Sequence, residues 1–363
     1  MSTDELLIPT KLEEVTVGWM TAALAADFPG ADVESVTTET LHDGTAFTCR
    51  VYMTYRQGSA AGPATACVKA GMEAPHRGFI FASGLCTKEA IVYQDLLPKT
   101  SARVAKCFAS GYELSSGKGF ILLEDLTPRG AVFCGAEQPL TPEQVASGLE
   151  QLAEFHALYW NDPQINEVRW KHRGMSLSEP DQLLQHFASR AADVVQQPHA
   201  GAIPQMFQRP DVIAPAMTRL RALDDASATC IIHGDAHLGN FFLDADGLPC
   251  MADFQCVQRG HFTHDVAMFI ASSLDVLDRR RHERELVQTY LTALESRVGT
   301  APPFEEAWLG YRRHVLYGMW VWLMTTSTFQ GQLRLVTCVY RFGLAALDLD
   351  SLDAIDYNPQ VKQ

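Results

Sequence analysis

One short segment of the chain concentrates residues that could perform chemistry on phosphate groups. The twenty-five residues from 231 to 255, IIHGDAHLGNFFLDADGLPCMADFQ, contain two histidines, four aspartates, one asparagine and three glycines. Asn240 and Asp253 offer the hard oxygen atoms with which proteins hold Mg²⁺ against the phosphates of a substrate. Asp235 precedes Asn240 by five residues, so its carboxylate can lie across the same loop and accept a proton from a substrate hydroxyl. The segment predicts a magnesium-assisted reaction at a phosphate group.

The order of these residues is that of the catalytic and metal-binding segments of kinases. HGDAHLGN followed by ADFQ resembles the aminoglycoside phosphotransferase and choline-kinase-like branch of the protein-kinase-like fold. The HGDxHxxN pattern of that branch is matched at His233, Gly234, Asp235, His237 and Asn240. The DFQ ending and its continuation CVQRGHFTHDVAMFIASSLD are most similar to the ecdysteroid-kinase-like group.

The resemblance implies a role for each of these residues. Asp235 would be the catalytic residue, and Asn240 and Asp253 would hold Mg²⁺. Asp265, twelve residues after Asp253, would help to hold the loop. We interpret the two histidines of the pattern as structural residues that fix the loop by hydrogen bonds. Each aspartate or asparagine alone could be an ordinary turn residue, and the joint pattern favours the catalytic interpretation.

The resemblance also implies a nucleotide site in the N-terminal part of the chain. Lys69, at the end of ATACVK, stands where these kinases place the lysine that binds the α and β phosphates, and Glu89 stands where its ion-pair partner would be. ILLEDL is similar to the segment that binds adenine through backbone groups, so the expected adenine contacts are Glu124, Asp125 and Leu126.

The phosphate loop departs from the usual kinase pattern. LHDGTAFTCRV has one glycine instead of a GxGxxG pattern. A backbone cradle for the phosphates is therefore expected at Gly44, Thr45 and Ala46 alone. ATP is the expected phosphate donor. Because the loop has a single glycine, the sequence is also consistent with GTP as the donor.

Residue spacing predicts the elements that must position these side chains. VESVTTETLHDGTAFTCRVYMTYRQGSAAGPATACVKAGM is rich in Thr, Val and Tyr and is broken at DG and GSAAGP, which predicts three antiparallel strands. TKEAIVYQDLLPK has apolar residues at helical spacing, which predicts one helix packed on these strands. ARVAKCFASGYEL and GFILLEDL predict two further strands. TCIIHGD and FFLDADGLPCMADF together predict a small hairpin with a turn at the second DG pair.

The remainder of the chain has mostly helical periodicity. Thr141, Pro142 and Gln144 form a capping box with proline at the first helical position, which predicts a helix over PEQVASGLEQLAEFHALYW. The expected fold is α+β and protein-kinase-like, with two lobes. Residues 1–125 would form a nucleotide-binding lobe with a small antiparallel sheet and one main helix, and residues 126–363 a larger, mostly helical lobe with the catalytic loop and the acceptor pocket.

Composition restricts the partners and the location. The net charge of the 363 residues is -14, which disfavours nucleic acid or an anionic membrane as a partner. The nine cysteines include no CxxC pair and are expected to be reduced. The segment MSTDELLIPTKLEE is acidic where a signal peptide would be basic, and the apolar stretch VLYGMWVWLMTTSTF is shorter than the ~20 residues that cross a bilayer. We expect a cytoplasmic protein that acts on a small molecule.

The acceptor is the least defined part of the site. Tyr317, Trp320 and Met324 are spaced to share one helical face, which would pack in the core or, as in the C-terminal helices of the family, line an acceptor pocket. In the second case the acceptor would have an apolar body. Kinases of this fold phosphorylate many alcohols, so a small, hydrophobic or aminoglycoside-like hydroxyl compound is expected.

Two other functions remain open at the level of sequence. A catalytically idle kinase-like protein that binds nucleotide would be consistent with the single glycine of the phosphate loop. A metal-dependent phosphoesterase would use the GD and GN dipeptides, yet no DxH pattern lies upstream and Phe241 follows Asn240 where a histidine is required.

Overall fold

The computed structural model describes residues 6–74, 81, 83–166, 182–227, 229–327 and 329–357, and for residues 166, 182–187 and 225 it describes the backbone alone. The strands are β1 (Val33–Asp43), β2 (Phe47–Tyr55), β3 (Thr65–Ala70), β4 (Cys107–Glu113), β5 (Lys118–Glu124), β6 (Val132–Phe133), β7 (Cys230–Ile232), β8 (Phe241–Leu243), β9 (Pro249–Met251) and β10 (Gln258–Gly260). The helices are α1 (Val17–Leu24), α2 (Leu85–Asp95), α3 (Pro142–Ala157), α4 (Gln182–Val194), α5 (Pro210–Ser227), α6 (Thr263–Ser273), α7 (Val276–Val298), α8 (Phe304–Met324), α9 (Gln332–Asp348) and α10 (Ser351–Ala354).

Strands β1 to β5 form one sheet in the order β1-β2-β3-β5-β4. The first three are antiparallel neighbours, as the sequence predicts. Burial alternates along β3, where the side chains of Ala66, Val68 and Ala70 are buried while Cys67 and Lys69 are only partly covered. Because successive side chains of a strand point to opposite faces, Lys69 lies on the face of the sheet that is not occupied by the Val68 side chain.

Helices cover both faces of this sheet. Phe120 and Leu122 of β5 pack in one apolar cluster with α1, and Ile121 between them packs in a second cluster with α2. A strand that is covered on both faces needs no polar alternation, which explains the continuous apolar run GFILL. Helix α2 is buried at every residue from Leu85 to Tyr93, so it is a central element of this region.

The C-terminal region is built from helices around a second core. Helix α3 starts with the expected capping box, in which the Gln144 N–H donates to Thr141 Oγ1 over 3.3 Å and the Thr141 N–H donates to Gln144 Oε1 over 3.1 Å. It ends at Ala157, before the predicted LYW. All residues of α6 are buried, and α7, α8 and α9 pack around it. This part of the chain is helical, as predicted, and the fold class is α+β.

Two sequence predictions about strands need correction. Of the segments in the predicted hairpin, β8 and β9 pair with each other, whereas β7 pairs with β10. The reason is that the stretch between β7 and β8 forms a loop and does not continue the strand. The predicted strand ARVAKCFASGYEL begins at Cys107. Its first residues leave the sheet, since Val104 forms a parallel bridge with Met251 and the Met251 N–H donates to the Arg103 carbonyl over 2.9 Å.

Helix α8 contains the longest apolar stretch of the sequence and is an internal element, with Trp320 and Leu323 fully covered. Across the described residues, no helix combines the length and apolar character that crossing a bilayer requires. The boundary between two lobes at residues 125 and 126 stays a prediction.

Candidate active site

The loop after β7 carries the first part of the site. Asp235 and Asn240 lie on opposite sides of a short turn that ends in a 3₁₀ segment, and the Asn240 side-chain Nδ2 donates to the Asp235 carbonyl over 2.8 Å and to Asp235 Oδ2 over 3.0 Å. These bonds fix the orientation of the Asn240 amide. The side chain of Asp235 is 32% exposed, so solvent or a substrate can reach its carboxylate.

A buried carboxylate on α6 holds this loop from behind. Asp265 accepts hydrogen bonds from the backbone N–H of His233 over 2.6 Å and of Gly234 over 3.0 Å. Burial by itself raises the pKa of Asp265, but hydrogen bonding to His156 and the charges of nearby histidines bring the pKa below its usual value. The structure thus places Asp265 where the sequence predicts a residue that supports the loop.

Sequence reasoning missed two residues of this support. His156 on α3 lies 2.9 Å from Asp265 through Nε2 and 2.7 Å from the Tyr290 hydroxyl through Nδ1, and both side chains are buried. The spacing along the chain gives no indication of this contact, since His156 precedes Asp265 by 109 residues. A histidine on the apolar face of a predicted helix was the only available signal.

The two histidines of the loop make local hydrogen bonds. His233 Nε2 donates to the Ala252 carbonyl over 2.9 Å, which ties the loop to the segment before Asp253. His237 Nδ1 accepts from the Gly239 N–H over 3.0 Å, so the proton of its neutral ring is on Nε2, 3.7 Å from an Asp235 carboxylate oxygen. Burial lowers the pKa of His237. Both imidazoles therefore occupy structural positions.

Gly234 is required by the backbone of this loop. Its φ is +80°, and a Cβ at this position would lie 2.2 Å from the Cys256 carbonyl oxygen. A residue with a side chain would be strained in the left-handed region and would collide with backbone atoms. The glycine lets the chain turn sharply after β7, directly before Asp235.

Lys69 joins the N-terminal sheet to the segment after β9. Its Nζ lies 2.9 Å from Glu89 Oε1 and 2.9 Å from Asp253 Oδ1. The Phe254 N–H also donates to Glu89 Oε1, over 3.3 Å. Asp253 has a left-handed backbone, with φ 62°, which is uncommon for a residue other than glycine and points to a constraint at this position.

Burial and charge oppose each other in this group. Burial raises the pKa of Glu89 more than the neighbouring ammonium lowers it. Burial also raises the pKa of Asp253, but there the charge of Lys69 dominates and the pKa lies below its usual value. For Lys69, burial acts to lower the pKa, and the two carboxylates more than reverse this effect. Asp253 is therefore anionic and Lys69 cationic near neutral pH.

These residues line a cleft of about 390 Å³ between the sheet and the helical region. Gly44, Thr45 and Ala46 lie at the β1–β2 turn on one side of it, and the segment after β5 lies on another. All three residues of the predicted phosphate cradle and all three predicted adenine contacts thus border the same cavity as Lys69, Glu89, Asn240 and Asp253.

The segment after β5 offers a defined set of backbone groups. The Glu124 N–H donates to the Lys106 carbonyl, and the Leu126 carbonyl accepts from the Arg129 N–H. The side chain of Asp125 points away to Arg50, with Oδ2 2.8 Å from Nε. Among the described residues, the Leu126 N–H makes no hydrogen bond, and Leu126 lines the cleft.

The three residues predicted to line the acceptor pocket differ in their burial. Trp320 and Met324 are buried in the core of the helical region, and Tyr317 is partly covered and lies against the His264 ring, with centroids 4.2 Å apart. The aromatic side chain of α8 that contacts the catalytic loop is Trp322, whose ring centroid lies 4.9 Å from that of His237. Sequence spacing did not identify Trp322, because it could not show which side of α8 faces the loop.

The oxygen atoms of the site fit a hard divalent cation. Asn240 uses Nδ2 on the Asp235 side, which leaves its amide oxygen as a ligand atom. The Asp253 carboxylate binds Lys69 through Oδ1 and is 35% exposed. One carboxylate and one amide oxygen, completed by phosphate oxygens and water, form a set that Mg²⁺ uses.

Comparison with known proteins identifies a matching family and similar folds. A model of the ecdysteroid kinase-like family matches residues 45–300. A candidate aminoglycoside phosphotransferase of Ralstonia eutropha JMP134 is similar in structure with a TM-score of 0.51 at 17% identity, covering 95% of this chain and 98% of that chain. Plasmodium vivax ethanolamine kinase is similar with a TM-score of 0.54 at 11% identity, covering 87% and 83%. No curated protein matches the chain in sequence.

Proposed function

We propose, since the chain belongs to the ecdysteroid kinase-like family, that it transfers the γ-phosphate of ATP to a hydroxyl group of a small organic alcohol. Membership of this family makes it a phosphotransferase with an alcohol group as acceptor. The observation that carries the proposal is the Lys69, Glu89 and Asp253 group, which lines the same cleft as Asn240, the hydrogen-bond partner of Asp235.

Asp235 is the residue that we assign to the acceptor. Its Oδ2 accepts from Asn240, which lines the cleft and fixes the carboxylate, and its side chain is partly exposed. A hydroxyl group placed against the other carboxylate oxygen would be oriented for attack and would give up its proton to Asp235. Positioning of this kind supplies most of the rate enhancement in phosphoryl transfer.

Lys69, Asn240 and Asp253 are assigned to the nucleotide. Lys69 would move from Asp253 to the α and β phosphates when the nucleotide binds, while it keeps Glu89 as its partner. Asn240 and Asp253 would hold Mg²⁺, which neutralises charge on the phosphate oxygens. The base would lie against the segment after β5, with the Leu126 N–H as a donor. The cleft itself favours neither ATP nor GTP, and ATP is the donor that we propose.

The acceptor that we propose has an apolar body. Phe133 and Phe329, at the rim of the cleft, are 65% and 45% exposed, and the buried Trp322 packs against His237 of the adjoining loop. Exposed aromatic side chains next to a functional cleft favour a partly hydrophobic ligand. The nine cysteines, all within the described residues, form no disulfide, which supports our proposal of a reducing compartment such as the cytoplasm.

Thermal unfolding with nucleotide tests the proposal. Wild type and Asp253→Ala are measured with ATP, GTP or neither, each with and without Mg²⁺, and Asp246→Ala, an exposed carboxylate of the β8–β9 turn, is the matched control. Ligand at about 100 times its dissociation constant stabilises a protein by about 2.7 kcal/mol. We expect a magnesium-dependent shift in wild type and Asp246→Ala that Asp253→Ala loses.

Turnover is then measured as nucleoside diphosphate release with a panel of alcohols. Asp235→Asn should eliminate turnover and retain the magnesium-dependent thermal shift, because it changes the proton acceptor and leaves the nucleotide contacts in place. Nucleotide binding without turnover of any alcohol by wild type would instead identify an idle kinase-like protein. Hydrolysis of phosphoesters without nucleotide would identify a phosphoesterase.

A further inference from the structure

A second group of chemically active side chains lies behind the catalytic loop. Asp224 of α5, His264 of α6 and His314 of α8 each contribute one ligand atom, and the three atoms lie within 4.8 Å of one another. Their exposed fractions are 8%, 4% and 2%. None of the three takes part in the proposed phosphoryl transfer, and residues so buried need a specific interaction to balance the loss of solvation.

The hydrogen bonds around His314 determine which of its nitrogens carries a proton. His261 Nδ1 accepts a hydrogen bond from the Thr263 N–H, so this nitrogen has a lone pair and no proton. The Thr263 hydroxyl, 2.7 Å from the same nitrogen, must therefore donate its proton to it. With its only proton used there, the Thr263 hydroxyl must accept from His314 Nδ1 over 2.8 Å, and the Gly310 carbonyl also accepts from this nitrogen over 2.7 Å. His314 Nδ1 is therefore protonated.

His314 Nε2 consequently faces a carboxylate with either a proton or a cation between them. It lies 2.6 Å from Asp224 Oδ1, and a nitrogen lone pair and a carboxylate oxygen at this distance would repel each other. In the structure this distance corresponds to a shared proton. A histidine that binds a metal likewise uses one ring nitrogen to donate to a backbone carbonyl and presents the other to the metal.

His264 is positioned in the same manner. Its Nε2 lies 3.3 Å from the Gly234 carbonyl oxygen, so Nε2 donates. In the neutral ring, Nδ1 is then the nitrogen with the lone pair. The ring is fixed further by its contact with Tyr317. Both histidines of the group therefore use one ring nitrogen to bind a backbone carbonyl, which is the second-shell interaction that orients metal-binding imidazoles.

We propose that Asp224, His264 and His314 form a structural site for a divalent transition-metal cation of the zinc class. Two imidazole nitrogens and one carboxylate oxygen are a ligand set that Zn²⁺ uses, with water in the fourth position. The cation replaces the proton between His314 and Asp224, and that proton passes to solvent. The site is independent of the proposed nucleotide site, whose ligands are oxygen atoms on the other side of the catalytic loop.

The location gives the cation a specific structural consequence. It would connect α5, α6 and α8, which are distant in sequence, at one point. His264 is adjacent to Asp265, which holds the loop, and binds the carbonyl of Gly234, which precedes Asp235. A bound cation would therefore stabilise the rear support of the catalytic loop without contact with the substrates.

Metal content tests this inference on the full chain. The purified protein is loaded with one equivalent of Zn²⁺, dialysed against metal-free buffer and measured by inductively coupled plasma mass spectrometry. The variants are His314→Gln and Asp224→Asn, which retain hydrogen-bonding groups of similar size. The controls are His282→Gln, an exposed histidine of α7 near Glu285, and Asp253→Ala, which removes a ligand of the proposed magnesium site.

We expect about one zinc per chain in wild type and both controls, and at least tenfold less in the two site variants. Zn²⁺ should also raise the unfolding temperature of wild type and leave that of His314→Gln unchanged. Should the variants not fold, Co²⁺-loaded wild type should show the visible absorption of tetrahedral Co²⁺ with nitrogen and oxygen ligands.

Three results would overturn the inference. One is wild-type protein that retains no metal and shows no Co²⁺ absorption, in which case the three residues form only a buried ion pair and hydrogen-bond cluster. The second is equal zinc retention by wild type, His314→Gln and Asp224→Asn. The third is a Co²⁺ spectrum dominated by thiolate ligands. None of these readouts depends on nucleotide, so the proposed function could fail while the metal site is confirmed, or the reverse.

Discussion

Replacing Lys69 by methionine should destabilise the protein in a manner that depends on pH. The substitution retains the length of the side chain and removes the charge that two carboxylates share. The Glu89 side chain is 5% exposed, so water cannot solvate its charge. The Asp253 side chain is 35% exposed, so water can solvate its charge. The penalty therefore falls mainly on Glu89. Removing one partner of a buried ion pair costs about 3–5 kcal/mol, and we expect about 3 kcal/mol at pH 8 because only one carboxylate is fully buried.

The pH dependence follows from the state of Glu89. Burial raises its pKa already in wild type, and without Lys69 the charged form keeps only the hydrogen bond from the Phe254 N–H. When the pKa of a carboxyl group is higher in the folded state than in the unfolded state, its contribution to the free energy of unfolding is fully present below the unfolded-state pKa. That contribution is lost as the pH rises through the folded-state pKa. At pH 5 the buried group of the variant takes up a proton, and the destabilisation should fall to about 1 kcal/mol.

Urea unfolding measures this effect at pH 5 and pH 8, followed by circular dichroism and by tryptophan fluorescence to test whether the transitions coincide. The matched control is Lys106→Met, which removes an ion pair of a lysine that is 55% exposed and should change stability by less than about 0.5 kcal/mol. Adding Glu89→Gln to Lys69→Met should recover stability at pH 8. Equal destabilisation at both pH values, or no recovery in the double variant, would refute the reasoning.

Three further substitutions test the carboxylate that holds the loop, a contact between two helices and a helix cap. Asp265→Asn should lower the turnover number at least tenfold and destabilise by about 2–4 kcal/mol at pH 7; because the pKa of Asp265 is lowered, this difference should shrink in unfolding curves recorded below about pH 4. Gly148→Ala places a Cβ 2.3 Å from the Phe269 ring, and calorimetry should show a loss of about 1–3 kcal/mol. Thr141→Ala removes the cap that Gln144 completes and should cost about 1 kcal/mol in urea unfolding, with activity unchanged.

The catalytic segment could be predicted from the sequence because its signals are local. Asp235, Asn240 and Asp253 lie within one short stretch, and the order of the residues reflects one loop and one hairpin. The capping box of α3 is local in the same sense, since one turn contains the threonine, the proline and the glutamine. In each case the interacting groups are neighbours along the chain.

Contacts between distant segments could not be predicted in this way. The partner of Asp265 is His156, and the aromatic side chain beside the catalytic loop is Trp322 instead of the expected Trp320. Helical periodicity shows that these residues share an element with apolar neighbours, and only packing decides which side faces the loop. The strand predicted from Ala102 starts at Cys107 because its first residues pair with β9, a contact that no local pattern contains.

The chain passes between the N-terminal sheet and the helical region at the segment after β5, and Val104 makes a second attachment by its bridge to Met251. The second attachment lies two residues before Asp253. Lys69 and Glu89 contact Asp253 and Phe254 from the sheet side of the same place. The two parts of the chain are therefore fastened to each other next to Asp253, so a change in the position of this residue would be passed on to both of them.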